Sequence, residues 1–190
     1  METIRNTYTP TMWIGCLSCY NSGTLRGAWI TAEQAAAEID ADQITYGGIA
    51  KVETHGTYTA PRCQKCGGDE FEALDHENVP AAYKYVAKFY EAATDLVELS
   101  EADGYALLLT YADNVDPGGY QSITDLAEQH TENYAGEFDT PREFGEEMAD
   151  IYEVRDDTHP LAAYIDYEAY ARDLLTGDYW NEGRHYWRSN

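Results

Sequence analysis

The stretch PAAYKYVAKFYEAATDLVEL, residues 80–99, is where the chain changes character. Tyr83, Val86, Phe89, Tyr90, Ala93, Leu96 and Val97 recur at helical spacing, while Lys84, Lys88, Glu91, Asp95 and Glu98 take the opposite face. That alternation is the mark of an amphipathic helix resting on a core. On the N-terminal side of Pro80 the chain reads mostly as strands and turns, and on the C-terminal side mostly as helices.

Working back from Pro80, Phe71 to His76 reads as a strand, and Tyr58 to Gly68 as a loop. Ile44 to Thr57 holds β-branched residues and paired glycines, which points to a return to the sheet. Thr31 followed by Gln34 forms a capping box that opens a short helix to about Ile39. Before it, Trp13-Ile14-Gly15-Cys16-Leu17 and Arg26-Gly27-Ala28-Trp29-Ile30 read as strands joined through a turn at Tyr20-Asn21-Ser22-Gly23.

Working forward, Ser100 and Asp103 signal a new helix start, followed by the apolar stretch Ala106 to Leu109, and Pro117-Gly118-Gly119 breaks it. Ser122 with Asp125 opens a helix that ends near Asn133. Thr140-Pro141-Arg142-Glu143 supplies an N-cap, a proline at the first helical position and an acid at the third, for a helix to about Arg155. His159-Pro160 begins a short segment. Tyr167 to Leu175 is helical until Gly177, and Tyr179-Trp180 and His185 to Trp187 are short strands. The fold class is therefore α+β. The expected division is into three small lobes: a β-rich lobe over 1–79, a helical lobe over 80–120 and a mixed lobe over 121–190.

The composition is that of a folded protein: 190 residues, 44% apolar and 13% aromatic, with 17 tyrosines. Charge is the anomaly, with 35 acidic residues against 12 basic and a net of −23. It is unevenly spread. Residues 91–160 hold 19 acids and 2 bases, whereas residues 1–90 hold 11 and 7. Such a surface repels nucleic acid and anionic membranes and attracts basic partners. No apolar run reaches the roughly 20 residues of a membrane helix. Met1 to Pro10 lacks the apolar centre of a signal peptide. A cytoplasmic location is expected, where thiols stay reduced.

Reduced cysteines in pairs read as metal ligands. Cys16-Leu17-Ser18-Cys19 and Cys63-Gln64-Lys65-Cys66 are two Cys-x-x-Cys pairs, the second followed by Gly67-Gly68 as in a zinc knuckle. Together they offer Zn2+ four soft ligands. Four thiolates close the coordination shell, so the expected zinc is structural and activates no water. Buried unligated thiols or a redox pair are the alternatives.

Catalytic patterns are missing from the sequence. None of the five histidines sits in a His-Glu-x-x-His pair, and no Ser-His-Asp order is legible. Carboxylates at helical spacing, Glu143 with Glu147 and Glu146 with Asp150, have no neighbouring histidine or lysine to set an acid apart from a base. What stands out is the field of acids itself: Asp113, Asp116, Asp125, Glu128, Glu132, Glu137, Asp139, Glu143, Glu146, Glu147, Asp150, Glu153, Asp156 and Asp157. Duplex DNA carries one negative charge per roughly 1.7 Å of axis, so a net charge of −23 corresponds to about 39 Å of duplex.

Three blocks then resemble one family. Tyr20-Asn21-Ser22-Gly23-Thr24-Leu25-Arg26-Gly27-Ala28-Trp29-Ile30 resembles the opening hairpin of ArdA antirestriction proteins. Glu70-Phe71-Glu72-Ala73-Leu74-Asp75-His76-Glu77-Asn78 resembles the segment that leads into their central helices. Tyr164-Ile165-Asp166-Tyr167-Glu168-Ala169-Tyr170-Ala171-Arg172-Asp173-Leu174 resembles their C-terminal signature. The resemblance implies an elongated, three-lobed non-enzyme that pairs through its C-terminal lobe into a curved homodimer. It implies that carboxylates stand in for the phosphates of B-form DNA and compete for the specificity and methyltransferase subunits of type I restriction–modification enzymes. It also implies a gene carried on a mobile genetic element. The cysteine pairs lie outside the family pattern, so zinc is expected from their spacing and not from kinship.

Within the last block, Ala171, Leu174 and Tyr170 are expected to face the core, with Arg172 and Asp173 either forming ion pairs that hold the fold or contacting the restriction enzyme directly. Tyr164, Tyr167 and Tyr170 are expected in the core or in a dimer contact. Two other readings compete with antirestriction: an acidic, zinc-stapled binding protein of a halophile, and a zinc or thiol enzyme. Clustering of the acids in 91–160 argues against salt adaptation, which would acidify every surface.

Overall fold

The computed structural model describes residues 8–55, 58–154 and 164–189. Among these are eight α-helices and eight strands in three small sheets, an α+β fold. The chain divides into two compact units, Met1–Leu126 and Ala127–Asn190. No helix among the described residues is long and apolar enough to cross a membrane.

In the first unit, strand β1 (Thr11–Cys16) runs between β2 (Gly27–Thr31) and β5 (Phe71–Glu77), antiparallel to both. Alternation sorts its side chains. Met12 and Ile14 are fully buried on one face, and Trp13 on the other meets Trp29 of β2 edge to face at 5.9 Å. The segment Tyr20 to Gly23, expected as a turn, begins inside a short helix, α1 (Leu17–Asn21), and only Ser22 and Gly23 turn.

Helix α2 (Ala32–Asp40) starts at the predicted capping box. The Gln34 N–H donates to Thr31 Oγ1 at 3.2 Å, and the Thr31 N–H donates to Gln34 Oε1 at 3.0 Å. The segment from Ile44 does not rejoin the main sheet. Strand β3 (Ala50–His55) pairs only with β4 (Tyr58–Cys63), in a sheet of two. Residues 58–63, expected as part of a loop from Tyr58 to Gly68, are thus a strand. Among the described residues β4 pairs on one side only, as suits a strand that holds Pro61.

The helical stretch from Pro80 is broken into a 3-10 turn at Ala81–Tyr83, helix α3 (Val86–Glu91) and helix α4 (Ala93–Glu101). Ala92 separates the last two at φ −97°, ψ 6°. The expected start at Ser100 and Asp103 is corrected as well. Ser100 is still inside α4, and its hydroxyl donates to the Val97 carbonyl at 2.9 Å. Helix α5 (Tyr105–Asn114) instead follows Gly104, whose φ of 93° reverses the chain without a side-chain cap. Helices α2 and α3 pack on the sheet, and α4 packs on α2. The core they enclose includes Phe89, Leu96, Ile30 and Met12, all fully buried.

Helix α6 (Ile123–Asn133) begins as predicted, with the Asp125 N–H on Ser122 Oγ at 3.0 Å. The second unit then adds a strand that the sequence did not announce, β6 (Tyr134–Glu137). It pairs with β8 (His185–Arg188), which also pairs with β7 (Tyr179–Glu182). Trp180 and Trp187 lie opposite each other in register and stack at 4.4 Å. Helix α7 (Pro141–Ile151) has the predicted cap, the Glu143 N–H on Thr140 Oγ1 at 3.2 Å, but stops at Ile151. The predicted end, Arg155, and the segment at His159-Pro160 lie outside the described residues. Helix α8 (Tyr167–Leu174) is capped by Asp166, which accepts from the Ala169 N–H at 3.0 Å. Phe144 and Met148 of α7, Ala171 and Leu174 of α8, and Tyr179 and Tyr186 of the sheet form the core of this unit.

A four-cysteine cluster and an acidic surface

Each cysteine pair sits where a strand ends. Cys16 closes β1 and Cys19 lies in α1, while Cys63 closes β4 and Cys66 lies in the turn after it. The four sulfurs all fall within 4.8 Å of one another, with Cys16 Sγ to Cys66 Sγ at 3.5 Å and Cys19 Sγ to Cys63 Sγ at 3.8 Å. Zinc bonds to thiolate sulfur at about 2.3 Å, so a regular tetrahedron has sulfur–sulfur edges of about 3.8 Å. The cluster fits a tetrahedral metal ion with four thiolate ligands.

Its surroundings fit as well. Cys16, Cys19 and Cys63 are buried and only Cys66 is exposed. The Gly68 N–H donates to Cys66 Sγ at 3.4 Å, the amide-to-sulfur contact expected of a knuckle. Burial works against a charge on Cys63, but the backbone N–H groups of Cys66 and Lys65 outweigh it and bring the thiol down to about 6. Burial and the neighbouring thiols push Cys19 up to about 12, and burial raises Cys16. Four thiolates this close together would repel one another, and a cation among them is what offsets that repulsion. Among the described residues no other group of three His, Cys, Asp or Glu converges on one metal position.

Of the acids singled out in the sequence, Asp156 and Asp157 lie outside the described residues. Asp113, Asp116, Glu128, Glu132, Glu137, Asp139, Glu143, Glu147, Asp150 and Glu153 are exposed, and Asp125 and Glu146 are half-buried. Some have local work. Asp116 accepts from the Gly118 N–H, Asp125 from the Gln121 N–H and Glu143 from the Asp139 N–H, each at 2.9 Å. Others are partly offset by cations. Asp113 lies 3.6 Å from Lys84, Glu146 lies 2.8 Å from Arg142, and Arg184 lies against both Glu137 and Asp139. Arg142 and Glu146 lie four residues apart on α7, whereas Arg184 meets its acids because pairing of β6 with β8 brings distant segments together.

In the C-terminal block, Tyr167, Ala171 and Leu174 are buried and Tyr170 is half-buried. Tyr164 is 82% exposed and lies outside the core. Arg172 and Asp173 are exposed on α8.

The molecule is thus an acidic α+β protein with a closed thiol cluster in its first unit and carboxylates exposed on both. The chain belongs to the ArdA family: it matches antirestriction protein (ArdA) over residues 12–185 of its 190. A search of curated proteins gives no match.

Proposed function

We propose that the protein is a non-enzymatic antirestriction protein that imitates B-form DNA and occupies the DNA groove of a type I restriction–modification enzyme. Family membership over residues 12–185 is the observation that carries this reading. The charge pattern supports it: 19 acids against 2 bases in residues 91–160, mostly on the surface where described. Carboxylates in such a field would meet the basic groups that the enzyme holds ready for phosphates. The reading includes a three-lobed protomer, a homodimer joined through the C-terminal lobe, and action in the cytoplasm against the specificity and methyltransferase subunits. It also includes carriage on a mobile element, and Zn2+ as the ion of the four-cysteine cluster. That ion would serve the fold alone, since four thiolates leave no open position.

The test is competition between the purified protein and duplex DNA for a type I methyltransferase core. Displacement of DNA at stoichiometric protein is expected, and failure to displace it overturns the reading. Raising salt from 50 to 200 mM should weaken the protein–enzyme complex about tenfold or more, because the partner's groove is electropositive. Affinity that does not move with salt would remove electrostatic imitation as the mechanism. Single exchanges such as Glu147→Gln or Glu132→Gln should change affinity less than about fivefold, the weight of one exposed ion pair. A single exchange that abolishes inhibition would replace a distributed field with a local hot spot.

A further inference from the structure

Among the described residues, the β3–β4 hairpin meets the rest of its unit at two places: its base, where Glu38 of α2 holds the turn at 45–47, and the cysteine cluster at its far strand. It forms a sheet of two strands with no ladder to the β2–β1–β5 sheet. A two-stranded hairpin is marginal in water unless something covers one face. Here the covering is thin. Lys51, Thr54 and Thr59 are exposed and Val52 is 39% exposed, whereas the buried positions are small: Ala50, Ala60 and Cys63.

Its polar ties are mostly internal. The Gln64 side chain donates to the carbonyls of Gly48 and Ala50, and the Gln64 N–H donates to the Ile49 carbonyl, which closes the hairpin on its own base. Arg62 donates to the Gly67 carbonyl and pairs with Asp69, and the Cys63 N–H donates to the Gly68 carbonyl, which fixes the knuckle on itself. Where the hairpin meets the β1–α1 corner, the buried cluster is made of Cys16, Cys19 and Cys63, with Phe71 packed against it. Contacts that cross include sulfur to sulfur, Cys16 with Cys66 and Cys19 with Cys63, and Gly68 packed close against Ser18 of α1.

We infer that metal bound at Cys16, Cys19, Cys63 and Cys66 is what holds the β3–β4 hairpin against the β1–α1 corner. The hairpin is then a metal-dependent element within a fold that is otherwise independent of metal. This rests on reading the cluster as a zinc site. Two ligands come from the strand–helix corner and two from the knuckle, so one ion would bridge both segments at four points, beside the few other contacts that join them among the described residues. The three-stranded sheet needs no such bridge. Met12, Ile14 and Ile30 bury fully, and Phe89 and Leu96 from the helices of the same unit bury with them.

The experiment is hydrogen exchange on the full-length protein, with Zn2+ bound and after removal by a chelator, alongside elemental analysis of metal content. One zinc per chain is expected. On its removal, amides of 50–55 and 58–63 should exchange at least tenfold faster, while those of 11–16, 27–31 and 71–77 keep their protection. Returned Zn2+ should restore the slow exchange. Cys66→Ser, which alters only the exposed ligand, should reproduce the loosened hairpin in a folded protein. If zinc is bound but the hairpin exchanges equally slowly without it, packing holds the hairpin and this inference fails while the zinc reading stands. If all three strands of the main sheet lose protection too, the metal supports the whole unit and the inference also fails. Absence of zinc from protein purified and supplied with the ion overturns both.

Discussion

Glu38→Ala is expected to lower the stability of the first unit by about 3 kcal/mol, seen as a fall in the urea midpoint with an unchanged slope. The reason lies in the turn that this carboxylate organises. Glu38, in α2, accepts from the backbone N–H groups of Thr45, Tyr46 and Gly47, from the Thr45 hydroxyl at 2.7 Å and from the Tyr90 hydroxyl at 2.9 Å. Three consecutive residues there take positive φ: Tyr46 at 49°, Gly47 at 65° and Gly48 at 82°. A tyrosine in that region is costly, and a run of inward N–H groups needs an anion. Tyr46 is also pinned by Phe71 at 4.6 Å and Tyr90 at 5.5 Å. Alanine would leave several donors facing nothing. Glu38→Gln should recover part of the loss, since one oxygen still accepts.

The same contacts set a pH dependence. Burial works against the charge of Glu38, but the Thr45 hydroxyl and the N–H groups of Gly47 and Thr45 outweigh it, so its pKa is lowered. A carboxylate lowered on folding adds stability above its unfolded pKa, near 4.3, and that stability is lost as pH falls through the folded value. Wild-type protein should therefore weaken across that acid range, and Glu38→Gln should weaken less. An equal acid response in both would show that other carboxylates govern it.

Gly145→Ala is expected to cost about 3 kcal/mol or more in the second unit, as a lowered calorimetric transition. Gly145 is buried in α7 where α8 crosses it. A Cβ there would lie 2.1 Å from the Tyr167 carbonyl oxygen and 3.2 Å from Ala171 Cβ. The first obstacle is backbone at the start of a capped helix, so no rotamer change can clear it. Relief requires moving α8 off Phe144 and Met148. Gly177→Ala is the control: it has open space around it and should leave the transition nearly unchanged. A Gly145→Ala protein as stable as wild type would mean that the helices part more readily than this packing allows.

What could be read from the sequence was local. Thr31 with Gln34, Ser122 with Asp125, and Thr140-Pro141 with Glu143 each form caps within four residues, and each marks a real helix start. The two Cys-x-x-Cys pairs announced one cluster because spacing alone restricts them. What could not be read depended on distant partners. Tyr134-Ala135-Gly136-Glu137 becomes a strand through β8, some 50 residues on, with Gly136 at φ 137° absorbing a bulge that no alternation would suggest. Residues 58–63 read as loop, yet a single neighbour, β3, is enough to extend them. The role of Glu38 was hidden for the same reason. Its turn lies just ahead in sequence, but the Tyr90 hydroxyl arrives from α3.

All four tryptophans are committed to the two cross-strand pairs, one in each unit. Trp13 and Trp29 meet at a steep 66°, whereas Trp180 and Trp187 lie nearly parallel at 14°. Indoles this close share their excited states, and the two geometries give different near-ultraviolet signatures. Each unit thus carries its own built-in optical label, and the unfolding of each can be followed by light through its own tryptophan pair.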